Sequence, residues 1–363
     1  MNLQKKIGQM LFAGFQGTTV TPELRKLIED YHIGGVIFFT RNIEDVFQLA
    51  DLIYEIQEIA CNKTDGVPLL IGVDQEGGRV ARIKEPFTVF PPARILGRSR
   101  SEELAYKQGM IQAIEIKALG FNIDFAPVLD VDTNTENPVI GDRAFGSDAG
   151  LVSLLGCSVI KGLQENGVAA CGKHFPGHGD ASVDSHLELP ALIHDIERLK
   201  RLELAPFNAA IKEGVESIMT AHIYFPEIDS EKIPATFSEK IINGILRKES
   251  GFKGVVFSDD LEMKAVENNF TIEDASVRSI KAGIDMLLIC RSYEKQIKAF
   301  EAILKGVENG EISKKLIEKS NRRISVLKRK YAEKIEKPDS KELLKVLGSE
   351  EHRKIAVKIA EMK

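Results

Sequence analysis

The sequence predicts a (β/α)8 barrel of the TIM type with a helical C-terminal tail, and three observations carry that expectation. Eight short apolar runs recur along the 363 residues, each nearly continuous in hydrophobic character. Strands buried on both faces of a parallel sheet read this way. Between the runs, stretches such as 43–60 and 199–213 carry apolar residues at three- and four-residue spacing, the pattern of amphipathic helices. Most runs are followed directly by charged or polar residues. Strands alternating with helices imply right-handed βαβ units, and eight of them close a barrel. Such a barrel takes about 250 residues, so the surplus falls to long loops and the tail.

In order, the runs are 10–15, 35–39 (GVIFF), 69–73 (LLIGV), 123–129 (IDFAPVL), 168–172 (VAACG), 217–221 (SIMTA), 254–257 (GVVF) and 286–290 (MLLIC). Arg41 and Asn42 follow the second; Asp74, Gln75 and Glu76 the third; Asp130 and Asp132 the fourth. Lys173 and His174 follow the fifth, His222 the sixth, Asp259 and Asp260 the seventh. In a parallel barrel these ends share one face, the face that carries active sites. Any one of them reads as a strand-end cap; together they read as a site. The barrel is expected over 1–330. Beyond it, 331–363 is lysine-rich and polar, with Pro338 as a break and Gly348 as a helix stop. That segment is expected as helices packed outside the barrel or as a linker toward something further.

Composition excludes several classes. Lys and Arg total 49 against 54 Asp and Glu, a net charge of −5, which argues against a nucleic-acid binder. No apolar run approaches the ~20 residues of a membrane span. The opening MNLQKKIGQMLFAGFQG is interrupted by Gly8, Gln9, Gly14 and Gln16, and no small-residue cleavage site follows. It reads as a first helix and strand rather than a signal peptide. Cys61, Cys157, Cys171 and Cys290 show no CxxC spacing, and three lie in apolar surroundings as buried thiols do. A reducing, cytoplasmic setting follows, with a monomer or weak homodimer as the expected state.

The densest chemistry lies in residues 171–190, CGKHFPGHGDASVDSHLELP, which leave a buried strand and become a polar loop. Asp184 and His186 flank Ser185; if the chain is extended there, both side chains point the same way. Asp184 can then accept from one imidazole nitrogen and fix the tautomer, leaving the other to exchange protons near an ordinary pKa of ~6.5. A loop salt bridge without chemistry is the other reading. Ser258-Asp259-Asp260-Leu261 allows metal binding, a cap for a helix starting near Leu261, or nucleophilic attack by a carboxylate on carbon. The cap suits Asp260; Asp259, nearer the strand, is the one aimed into the barrel mouth. Residues 74–82 (DQEGGRVAR) pair a glycine turn with carboxylates and arginines suited to polyol recognition, without the phosphate-loop pattern. Residues 141–146 (GDRAFG) read by themselves as a structural turn with an exposed Arg143.

Together, VDQEGGRV, GDRAFG, KHFPGHGD with its trailing DSH and LP, and FSDDLEM resemble glycoside hydrolase family 3. The likeness is closest to its β-N-acetylhexosaminidase branch and runs in unbroken order over about residues 5–330. It implies a barrel enzyme that removes terminal β-linked N-acetylglucosamine from peptidoglycan fragments or chitooligosaccharides with retention of configuration. It also implies Asp259 as nucleophile, His186 as general acid/base and Asp184 as the partner in the dyad. Asp74, Arg82, Arg143, Lys173 and His174 would bind the sugar, with His222 (in TAHI) near the site. No metal or cofactor is implied, since protonation activates the leaving group. Retaining glycosidases need a nucleophile and an acid/base, usually two carboxylates about 5 Å apart; with histidine as the second, that spacing does not apply. Reduced anionic character there would also admit phosphate as acceptor, so phosphorolysis is an alternative, as is a broad β-glucosidase or hexosaminidase. The loop 176–190, with Gly177 and Gly179, is expected to be mobile and to close over substrate. A metal hydrolase built on His174, His178, His186 and an Asp is a competing class; so is a non-catalytic sugar binder, against which a nucleophile and a dyad together argue. The tail EEHRKIAVKIAEMK resembles the segment leading into a second domain in two-domain relatives.

Overall fold

Segments without a polar face must be covered on both sides, and eight of them here form a closed ring. A computed structural model of the chain describes residues 1–63, 66–181, 189–332, 337 and 339–362. Its strands are β1 Leu11–Gly14, β2 Gly35–Phe38, β3 Leu70–Val73, β4 Ile123–Asp124, β5 Ala169–Phe175, β6 Ser217–Thr220, β7 Val255–Phe257 and β8 Leu287–Ile289. Every residue in them is buried. They pair in parallel in the order β8-β1-β2-β3-β4-β5-β6-β7. Asp285 N–H to Val256 O and Leu261 N–H to Leu288 O, both 2.9 Å, close the ring between β7 and β8. The (β/α)8 expectation holds, strand by strand.

Two local differences have physical causes. The fourth run pairs as a regular strand only at Ile123 and Asp124, because Pro127 has no N–H to give the ladder. Contact with β5 nevertheless continues, with Cys171 N–H donating to Ala126 O at 2.9 Å, Lys173 N–H to Pro127 O at 3.2 Å and Leu129 N–H to Lys173 O at 2.6 Å. After β3 the chain makes more than a turn: Gln75–Gly77 folds back on Val80–Ala81 as an antiparallel ribbon. The Gln75 amide stitches the ribbon's base, donating to Ile83 O and accepting from the N–H groups of Arg82 and Ile83.

The helices begin on residues that accept from the first free backbone N–H groups. Thr21 caps Pro22–Glu29, Ser101 caps Glu102–Ala118, Asp148 caps Ala149–Glu165, Thr271 caps Ile272–Ala282 and Ser292 caps Tyr293–Glu308. The helical stretch expected over 199–213 is two helices, Ile196–Arg201 and Leu204–Glu213, broken at Leu202 and Glu203.

Inside the ring, Phe12, Phe125 and Phe257 meet edge to face with centroids 5.4, 5.6 and 5.3 Å apart. Gly35 and Gly72 leave room for them: a Cβ would lie 2.3 Å from the Phe12 ring and 2.7 Å from the Phe125 ring, respectively. This aromatic plug floors the barrel mouth.

Ahead of the tail, Lys314–Tyr331 packs against Leu3–Gly8 and β7; in the tail, Ser340–Val346 and Glu350–Ala360 pack on Glu102–Ala118. Fully buried Glu115 joins them, accepting from Thr88, from Gly348 N–H and from His352 Nδ1 at 2.7 Å. Gly348 at φ +58° follows the end of Ser340–Val346, as expected of a stop signal. Cys171 and Cys290 are buried; Cys61 and Cys157 are only half-buried. Among the described residues no helix is long and apolar enough to cross a membrane.

Lys328, on Lys314–Tyr331, is buried with its Nζ on Gln9 Oε1 at 2.6 Å. Burial pushes its ammonium from 10.5 down to about 7. Between those values the unfolded chain binds the proton and the folded chain does not, so Lys328 favours folding more as pH rises. Urea unfolding of wild type and Lys328→Met should therefore show their stability difference moving in favour of wild type from about pH 7 to pH 10. A difference independent of pH would show that the buried ammonium keeps its proton.

Candidate active site

The polar groups that follow β2, β3, β5, β7 and β8 line one cavity of about 540 Å³ at the C-terminal ends of the strands. That volume falls in the range of small-molecule sites, about 300–1,000 Å³. Of the residues expected to bind sugar, Asp74, Arg82, Arg143, Lys173 and His174 all line it, and so does Asp259. Asp184 and His186 lie outside the described residues.

The cavity is organised by charge. Lys173 leaves β5 buried, its Nζ 2.8 Å from Asp74 Oδ1 and 2.7 Å from Glu76 Oε1. Arg143, on the turn Gly141–Arg143, grips Glu76 with both Nε and Nη2, at 2.8 and 2.7 Å. Burial opposes ionisation of Glu76, but Arg143 and Lys173 outweigh it and hold the carboxyl well below the usual range. For Lys173 and Arg143 burial again opposes the charge, and their carboxylate partners overcome it and hold both protonated. Arg82 stands at the edge, 3.6 Å from Asp74 and stacked near the Phe39 ring. Its Nε is buried and has no protein partner among the described residues, leaving a donor for a ligand hydroxyl. Beneath them, burial pushes the Asp124 carboxyl up to about 7, against the Gln75 N–H that it accepts.

His174 is oriented by Asp130, whose Oδ2 is 2.7 Å from Nδ1. The same carboxylate accepts from the backbone N–H groups of His174 and His178. Since Asp130 only accepts and Arg143, 3.4 Å from Nε2, only donates, the proton sits on Nδ1. Both ring nitrogens are thereby engaged, and neither offers a metal a free lone pair. His178 also lines the cavity; burial lowers its imidazole to about 4.

Asp259 ends β7 and accepts from the Asp260 N–H at 2.7 Å. Asp260 does not cap a helix at Leu261. Its Oδ1 takes the N–H groups of Glu262 and Cys290, and the next helical turn is Lys264–Glu267. A carboxylate tied across to β8 serves the turn, and the chain must pass Glu262 before it can wind. Burial pushes Asp260 up to about 7. His222 is outside the cavity lining. Its Nδ1 meets Thr236 Oγ1 at 2.9 Å and its Nε2 meets Asp260 O at 3.1 Å, so it braces the turn at Asp259 and Asp260 from β6.

Glu76 and Asp130 were visible in the sequence only as polar strand-end residues. What makes them functional is pairing with Arg143, Lys173 and His174, which no local pattern reveals.

Comparison with known proteins bears on the family and the fold. The profile for the glycosyl hydrolase family 3 N-terminal domain matches residues 2–327. A β-hexosaminidase of Thiobacillus denitrificans is 42% identical over 284 residues, 77% of each chain. The solved family 3 β-N-acetylglucosaminidase of a Paenibacillus species superposes with a TM-score of 0.94 at 43% identity, covering 100% of this chain and 69% of that one. NagZ from Neisseria gonorrhoeae, solved with N-trifluoroacetyl-D-glucosamine, superposes with a TM-score of 0.78 at 32% identity, covering 97% of both chains.

Removing Glu76 strips Arg143 of its carboxylate partner and leaves Lys173 with Asp74 alone. Glu76→Leu should lower stability by about 3–5 kcal/mol, the usual cost of breaking a buried pair, measured by urea unfolding. A loss below about 1 kcal/mol would show that the cluster is not held by this carboxylate.

Proposed function

The chain belongs to glycosyl hydrolase family 3, and from that premise we propose that it is a retaining exo-β-N-acetylglucosaminidase working through a covalent glycosyl-Asp259 intermediate. The observation that carries this reading is the position of Asp259. It stands at a strand end in a cavity where Lys173 and Arg143 are already matched by Asp74 and Glu76.

In the first step Asp259 attacks C1 of the terminal sugar. The C1–O bond breaks, and the proton on the His186 imidazole passes to the departing oxygen, so the leaving group departs as an alcohol. Asp184 holds that imidazole and stabilises its charged form. In the second step His186 takes a proton from water, the water oxygen bonds to C1, and the Asp259–C1 bond breaks. Two inversions give net retention. Asp74, Arg82, Arg143, Lys173 and His174 hold the hydroxyl groups. Their mutual ion pairs pre-orient the donors, so binding sugar does not require building the site. The acetamido group in the substrate is supported by the N-acylated glucosamine bound to the Neisseria relative. Peptidoglycan fragments or chitooligosaccharides met in the cytoplasm are the substrates this reading assigns.

The test is hydrolysis of an aryl β-N-acetylglucosaminide beside the matching β-glucoside, with and without phosphate, for wild type, Asp259→Asn and His186→Ala. Activity on the acetamido sugar, reduced on the order of 10³-fold or more in Asp259→Asn, is the expected result. An Asp259→Asn enzyme as active as wild type would sink the mechanism. A sugar 1-phosphate product would move the reading to phosphorolysis.

A further inference from the structure

The segment assigned to acid/base chemistry leaves the barrel at Pro176 and returns at Pro190, and the structure describes both of its stems. The outgoing stem is pinned to the loop after β4. Asn137 Nδ2 donates to the carbonyls of His178 and Gly179 at 2.8 and 3.1 Å, and Thr133 Oγ1 donates to Asp180 Oδ1 at 2.8 Å. Its glycines are packing sites: a Cβ on Gly179 would lie 1.8 Å from Val131 O, and one on Gly177, at φ +137°, 2.7 Å from Glu203 Cβ. The returning stem is pinned to the chain after β6, through Leu192 N–H to Tyr224 O and Tyr224 N–H to Pro190 O, both 2.9 Å. It then runs into the helix Ile196–Arg201, capped by Asp195.

Among the described residues, the shortest side-chain contact between the two stems runs from His194 to Asp180. His194 Nε2 lies 2.7 Å from Asp180 Oδ2; the carboxylate only accepts, so Nε2 donates. Arg198 Nη2 supports the same oxygen from 3.3 Å while its Nε and Nη2 reach Glu203. Neither Asp180 nor His194 lines the cavity.

We propose that Asp180 and His194 are positioning residues for the general acid/base: their contact fixes the separation of the stems between which Asp184 and His186 are carried. This rests on the reading of His186 given above. The two stems belong to different supports, one on the β4 loop and one on β6. Without the staple each keeps its own anchors, so the barrel persists while the spacing between the stems relaxes. A misplacement of about 1 Å can cost on the order of 10²-fold in rate. The loss falls on the step that needs the proton, cleavage of a basic leaving group, and spares a leaving group that departs as a stable anion.

The experiment compares kcat/KM on a 2,4-dinitrophenyl β-N-acetylglucosaminide, which needs little protonation, with that on an alkyl β-N-acetylglucosaminide, which needs it fully. Variants are His194→Ala, Asp180→Ala and their double. Asp180→Asn, which preserves shape and an acceptor, serves as the milder substitution if an alanine variant fails to fold. The staple variants should lose roughly 10- to 100-fold on the alkyl substrate and under about 3-fold on the activated one. The double variant should lose no more than the larger single, the sign of one shared interaction. Equal losses on both substrates would overturn the proposal. His186→Ala separates the two ideas. If it shows the selective loss while the staple variants do not, only the staple fails. If it loses both substrates equally, the acid/base reading fails and the staple with it.

Discussion

Everything at the barrel mouth depends on keeping charges ionised out of water. Glu76 is 8% exposed and Lys173 2%, and taking such groups from water costs several kcal/mol each. The cost is offset because each charge has a partner: Lys173 meets both Asp74 and Glu76, and Arg143 forks onto Glu76. Removing Glu76 would leave Arg143 without a carboxylate. The loop after β3, the end of β5 and the turn Gly141–Arg143 therefore take up positions together. A cavity preset in this way loses little reorganisation when a polyol replaces the water in it.

That cluster needs a rigid floor, and the interior of the ring supplies it. Phe12, Phe125 and Phe257 come from three parts of the chain and meet edge to face inside the ring. Gly35 and Gly72 sit where any side chain would collide with those rings. The polar layer thus rests on a packed one, and the mouth cannot collapse downward to relieve its desolvated charges. At the opposite end, Asp285 is buried between Arg247 and Arg323. It uses the same chemistry to join β8's entry to a flanking helix and to the tail, far from the cavity.

The sequence was legible where the signal is local. Hydrophobic runs such as GVIFF and LLIGV are short and continuous, and burial on both faces leaves no other pattern for a parallel strand. The position of a polar residue after such a run places it on one face of the barrel, which is why Asp74, Lys173, His174 and Asp259 were readable as neighbours. What the sequence concealed is pairing. Glu76 finds Arg143 sixty-seven positions away and Asp130 finds His174 forty-four positions away, and nothing in either segment states the partner. His222 is a different case. It sits after β6 just as the others follow their strands, yet both its nitrogens are committed to Thr236 and to the Asp260 carbonyl. A strand-end position gives the face of the barrel, not the direction of the side chain.

The adjacency of Asp259 and Asp260 follows from the same constraint. Two ionised carboxylates side by side at a buried strand end would repel, and burial, with Glu262 and Asp259 close by, pushes Asp260 up to about 7. The fold separates their tasks. Asp260 Oδ1 takes the N–H groups of Glu262 and Cys290, which ties the end of β7 to the end of β8. Its own N–H holds Asp259 Oδ1, and its carbonyl is held by His222 from β6. Three neighbouring strands thereby converge on the peptide that orients Asp259. The second aspartate is thus the support of the first rather than a spare, and a motif with one carboxylate could not both face the cavity and lock the turn on which it stands.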